Sequence, residues 1–139
     1  MIDPNAHVVI LGAGHAGGTA AALLRQYGHK GPITMVGEEP IAPYQRPPLS
    51  KAWLKGEADA DSLALKPTEF YAEAGIDFRP NLRGEALQRS ARTVSLSDGS
   101  TLGYDVLILA TGARPIVLNI PGADLSACCS CARRPTRRL

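Results

Sequence analysis

The strongest constraint on this chain lies in residues 7–28, HVVILGAGHAGGTAAALLRQYG. A short β-branched run, His7 to Leu11, passes directly into a glycine-rich turn. Such a run suits a strand covered on both faces, as in a parallel sheet. From about His15 to Tyr27 the alanines, leucines and Arg25 favour helix, and Gly28 stands where a helix end takes a left-handed residue. Ile33 to Val36 offers a second buried strand. Strand, turn, helix and strand predict a βαβ unit with a right-handed crossover.

The turn itself, GAGHAG, places Gly12, Gly14 and Gly17 at the G-x-G-x-x-G spacing. In a strand-to-helix context each glycine has a physical task. Gly12 permits the tight turn, Gly14 lets a pyrophosphate approach the backbone, and Gly17 lets the helix pack on the strand. The anion would rest on free amides at the positive end of the helix. Glu38 follows the second strand at the spacing of a carboxylate that accepts both hydroxyls of an adenosine ribose. Dinucleotide binding in a Rossmann-like α/β domain is therefore expected. The same glycines would also serve a ligand-free βα turn, and His15 among them receives no role.

Beyond Gly37 the pattern changes. Pro40, Pro43, Pro47 and Pro48 argue for a long stiffened loop. A short helix is expected near Ser50 and another over Pro67 to Ala74, closed by Gly75. After Ile76 the pattern is of short strands, with a turn at Asp98-Gly99 and a final apolar strand, Val106 to Ala110. The predicted domain is thus a parallel sheet with a β-hairpin or meander insertion.

The second strand leads into GEEPIAPYQRPPLSKAWL rather than a further short link, and ATGARP follows at Ala110 to Pro115. From about Val8 to Ala127 the chain resembles the flavoprotein family of NAD(P)H-dependent ferredoxin, rubredoxin and putidaredoxin reductases, with YQRPPLSK the most specific element. The resemblance implies FAD as cofactor, NAD(P)H as substrate of the intact enzyme, and a ferredoxin, rubredoxin or similar electron carrier as partner. It implies that Gly12, Gly14, Ala16 and Gly17 hold the FAD pyrophosphate and that Glu38 holds the adenosine ribose. Arg46 and Lys51 would lie along the FAD, with Lys51 the catalytic cation at the flavin, and Thr111 and Gly112 would close over the cofactor. Gly84 stands where the family uses a valine's backbone to contact adenine. A cation at the flavin is chemically apt, because charge developing on the ring is stabilised best by a desolvated ammonium. On their residues alone, Lys51 would equally be a solvated lysine and Arg46 a surface arginine packed on prolines.

Family members are much longer than this chain. The sequence has no second glycine fingerprint for NAD(P)H, so it is expected to form an incomplete FAD domain with little reductase activity. A small stand-alone nucleotide-binding module, or one chain of a split enzyme, is the alternative.

Residues 1–127 read as that domain and residues 128–139 as an aberrant tail. The tail holds all three cysteines, Cys128, Cys129 and Cys131, and four arginines, Arg133, Arg134, Arg137 and Arg138. Setting those arginines aside takes the formal charge from +2 to −2, which gives the body no electrostatic case for nucleic acid. A zinc site would need a fourth ligand, and arginines without aromatics make a poor nucleic-acid arm. With suitable GC-rich codons, a shift of one nucleotide turns this stretch into an LRTAADA segment, like the family's YLRTxxDA segment, so a frameshift near Ala127 accounts for the cysteines and arginines together. No run of 18 apolar residues and no signal-like start occur in the sequence, so a cytoplasmic chain without membrane contact is expected.

Overall fold

A computed structural model describes residues 3–116, 119–123, 125 and 132–133 of the 139. The tail cysteines and Arg134, Arg137 and Arg138 fall outside the described residues.

The predicted βαβ unit forms as β1 (Val8–Leu11), α1 (His15–Gln26) and β2 (Ile33–Val36). All eight strand residues are buried, as apolar runs without polar alternation require. Strands β3 (Ile76–Arg79) and β7 (Val106–Leu109) complete a parallel sheet in the order β3-β2-β1-β7. Val8 stands opposite Ile33 on one side and Val106 on the other. Strand β7 forms one border of this sheet among the described residues, and its Leu109 is 62% exposed.

The two sheet faces carry different layers. Val8, Ile10, Ile33, Met35 and Ile76 pack with Ala21 of α1 and with Tyr71 of α3 (Thr68–Glu73). The alternate residues Val9, Leu11 and Val36 pack against Val94, Leu96 and Leu102 of a second sheet. That sheet is an antiparallel meander of β4 (Gly84–Gln88), β5 (Thr93–Leu96) and β6 (Thr101–Gly103). The β5–β6 turn falls at Asp98-Gly99 as expected, with the Asp98 carboxylate accepting from the Ser100 amide and hydroxyl.

The proline-rich loop differs in detail from expectation. No helix begins at Ser50; instead a 3₁₀ turn ends there, Pro47–Ser50, with proline in its first positions. The short helix is α2 (Ala60–Leu63), whose N-cap Asp59 accepts from the Ser62 amide at 2.8 Å. Pro47 and Pro48 suit a helix start, but the turn does not continue as helix because Lys51 leaves the helical region, with φ −126° and ψ −110°. Pro67 likewise sits at the N-cap of α3, one step before the first helical residue. Tyr44, Leu49 and Leu63 form a satellite core beneath this loop, and a bridge between Tyr44 and Ala64 ties it to α2.

At the opposite, N-terminal edge of the parallel sheet, Arg25 gathers four carbonyls. Its guanidinium donates to Ala74 O and Gly75 O after α3 and to His29 O and Gly31 O after α1, all at 2.8 to 2.9 Å. Among the described residues no helix is long and apolar enough to cross a membrane.

Candidate functional site

The three glycines stand in different environments. Gly12 has φ +110°, and a Cβ built on it would lie 2.0 Å from Ala110 O. A Cβ on Gly17 would lie 1.8 Å from Gly12 O and 3.3 Å from the Ile10 side chain, so α1 sits directly on the turn. Neither position has room for a side chain. Gly14 is the opposite case, with nothing among the described residues within 4 Å of its Cβ position. It is the N-cap of α1 and makes no side-chain cap hydrogen bond, so the first-turn amides of His15, Ala16 and Gly17 have no intrahelical acceptor. The turn thus presents bare backbone donors to open space.

Glu38 reaches the same end of the sheet through β2. The adjoining Gly37 passes so close to the turn that a Cβ on it would lie 2.5 Å from the Ala13 Cβ. Gly37 donates to Arg79 O and accepts from the Leu82 amide, which brings residues 81–83 alongside Glu38. A cavity of about 660 Å³ opens there, lined by Glu38, Arg83, Arg114 and Arg133 among others. Glu38 Oε1 accepts from Arg114 at 3.2 Å and lies 3.8 Å from Arg83, while Oε2 accepts from Arg133 at 2.7 Å. The Arg133 hydrogen bond, aided by the positive fields of Arg133, Arg114 and Arg83, holds the Glu38 carboxyl below its ordinary value against the opposing effect of partial burial.

Of the other residues singled out by the sequence, Arg46 is the nearest in the hydrogen-bond network. It donates to Glu39 at 2.6 Å, lies over the Tyr44 ring at 5.4 Å, and donates to Ala132 O. Tyr44 OH donates to the other Glu39 oxygen at 2.7 Å, so Arg46 is braced from two directions. Lys51 follows the 3₁₀ turn and is exposed, with no side-chain ion pair or hydrogen bond among the described residues. Thr111 lies beside the glycine turn, its amide 3.0 Å from the Cβ position of Gly12, and the exposed Gly112 next to it has φ +68°. Ala16 is exposed on the first turn of α1.

Gly84 starts β4 opposite Leu96, where a Cβ would lie 2.9 Å from a Leu11 methyl. A larger residue there requires Leu11 to shift. Of the ten residues that the sequence points to, Glu38 lines the cavity, and Gly12, Gly14, Ala16, Gly17, Arg46, Lys51, Gly84, Thr111 and Gly112 do not. Sequence reasoning missed Arg83 and Arg114. Arg114 sits within the ATGARP stretch and its charge was the available signal, but only the adjacency of strand ends shows that it meets Glu38.

The chain as a whole is similar to known proteins. A model of the family described as pyridine nucleotide-disulphide oxidoreductase matches residues 6–136. The chain is 46% identical over 125 residues to a probable ferredoxin reductase of Castellaniella defragrans, covering 90% of this chain and 31% of that protein. It is 48% identical over 118 residues to rhodocoxin reductase of Rhodococcus erythropolis, covering 85% of this chain and 28% of that one. Among solved structures, a ferredoxin reductase from Rhodopseudomonas palustris superposes with a TM-score of 0.82 at 41% identity, over 89% of this chain and 30% of that chain. The chain therefore spans about a third of the length of the curated relatives it matches. With its sheet order, glycine turn and carboxylate arranged as described, and the family model matched over nearly its whole length, this chain belongs to the pyridine nucleotide-disulphide oxidoreductase family.

Proposed function

We propose that this chain forms the adenosine-side grip on FAD of a reductase that takes electrons from NAD(P)H and passes them to a ferredoxin, rubredoxin or similar carrier. The observation that carries this reading is Gly14, open to space between two glycines that are sealed against backbone. A pyrophosphate fits such a cradle, because the first-turn amides lack intrahelical acceptors and the helix end favours negative charge. Gly12, Gly14, Ala16 and Gly17 would hold the phosphates, and the charged Glu38 would accept the ribose hydroxyls. The backbone of Gly84 and the strand-end residues Thr111 and Gly112 would border the cofactor. FAD, when bound, takes up two electrons from NAD(P)H and releases them singly to the carrier.

The protein's own contribution is binding and electrostatics. Arg46, fixed by Glu39 and Tyr44, presents a pre-positioned guanidinium, which reduces the ordering cost of gripping an anion. Lys51, assigned to the flavin end, supplies positive charge where negative charge would develop. This chain matches 31% of the Castellaniella relative, and the resemblance implies that NAD(P)H binds outside the matched part, so these 139 residues alone should turn over NADH slowly or not at all.

Titration of flavin fluorescence tests the reading. Glu38→Ala removes charge-assisted hydrogen bonds worth about 1.5–3 kcal/mol, roughly ten- to a hundredfold in FAD affinity. Unchanged affinity would take Glu38 out of the site.

A further inference from the structure

We propose that residues 132–133 occupy the place of the nucleotide at Glu38 and Arg46, leaving the glycine turn open, so that FAD must displace these two residues to bind. This rests on the reading of Glu38 and Arg46 as nucleotide-contacting side chains. Two consecutive residues engage both of them. Arg133 donates to Glu38 Oε2 at 2.7 Å, and Ala132 O accepts from Arg46 Nη1 at 2.5 Å. These partners lie 95 and 86 positions earlier in the chain. Both tail residues also line the cavity beside Asn81, Arg83 and Arg114.

The polarity of each contact copies what a nucleotide would bring. Glu38 is an acceptor, and a ribose would offer it hydroxyl donors; Arg133 offers N–H donors with a full positive charge. Arg46 is a donor, and a phosphate would offer it oxygens; Ala132 offers a carbonyl oxygen. The two residues therefore satisfy Glu38 and Arg46 without the ligand. Apparent affinity for a ligand that binds only the open form falls in proportion to the open fraction.

The sign of one substitution decides the matter. In the full chain, Arg133→Ala and Arg133→Glu should tighten FAD binding about two- to tenfold in a flavin fluorescence titration, because an ion pair that competes with the ligand has been removed. An arginine that contacts FAD would give the opposite sign, so equal or weaker binding by both variants would overturn the proposal. Carboxylate NMR on the flavin-free chain provides a second readout. The Glu38 titration midpoint should rise in Arg133→Ala, and an unmoved midpoint would place the segment elsewhere. If neither the native chain nor either variant binds FAD while the midpoint does rise, the nucleotide reading of Glu38 is what has failed, and the competition with FAD fails with it.

Discussion

Alanine at Gly14 and alanine at Gly17 should have opposite consequences, although the two positions are three residues apart in one motif. At Gly17 the added Cβ would start 1.8 Å from Gly12 O, and real Cβ contacts essentially never fall below 3.0 Å, so the two groups must separate by more than 1 Å. The turn cannot retreat freely, because the Gly12 amide donates to Val36 O at 2.8 Å. The helix cannot lift freely either, because Ala21 is fully buried against the sheet. Overpacking costs about 1–3 kcal/mol, and loss of one backbone hydrogen bond adds about 1. The sum, about 2–4 kcal/mol, is a large part of the stability of a small domain, and corresponds to a melting temperature lower by roughly 10–20 °C.

Gly14, by contrast, has φ −87° and ψ −165°, a conformation open to any residue, and empty space at its Cβ position. The poorer N-cap propensity of alanine is offset by the smaller entropy of the unfolded chain, so stability should stay within about 1 kcal/mol. The methyl would occupy the approach to the first-turn amides, and FAD affinity should fall at least about tenfold. Urea unfolding followed by circular dichroism and flavin fluorescence titration measure the two effects separately. Equal destabilisation by both variants would refute the packing geometry. Native FAD affinity in Gly14→Ala would refute the cradle.

Two further outcomes follow from single groups. Among the described residues Tyr71 OH is buried without a hydrogen-bond partner and its pKa is pushed up to about 12 by burial, so Tyr71→Phe should raise the urea midpoint by the equivalent of about 1 kcal/mol. A lower midpoint would show that the hydroxyl has a partner after all. Glu38 is held below its ordinary 4.5 when folded, so its ion cluster contributes stability that is fully present above about pH 4.5 and is lost as the pH falls through the lowered folded value. Unfolding curves of the native chain and Glu38→Gln should accordingly converge on acidification. A stability difference that persists at the acid end would contradict the assignment.

The parts of the fold written in local pattern were legible. β1, α1 and β2 follow from a β-branched run, an alanine-rich stretch and glycines whose tasks depend on near neighbours. The helix at Ala60–Leu63 had a local signal too, Asp59 ahead of Ser62, but the four prolines upstream drew the expectation toward Ser50. What pattern could not show was adjacency. Arg83, Arg114 and Arg133 meet Glu38 across 45, 76 and 95 residues of chain, and only the strand order and the loops between layers determine such meetings. Burial by the meander was equally hidden, since apolar runs covered on both faces look the same whichever layer covers them.

The four carbonyls collected by Arg25 determine where this molecule can give way. They join the exit of α1, the entry to β2 and the turn before β3 at the edge of the sheet opposite the glycine turn. One side chain thus rivets both crossovers at their base, and the strands stay in step when the loops above them rearrange. Prising that base apart has to break four hydrogen bonds together.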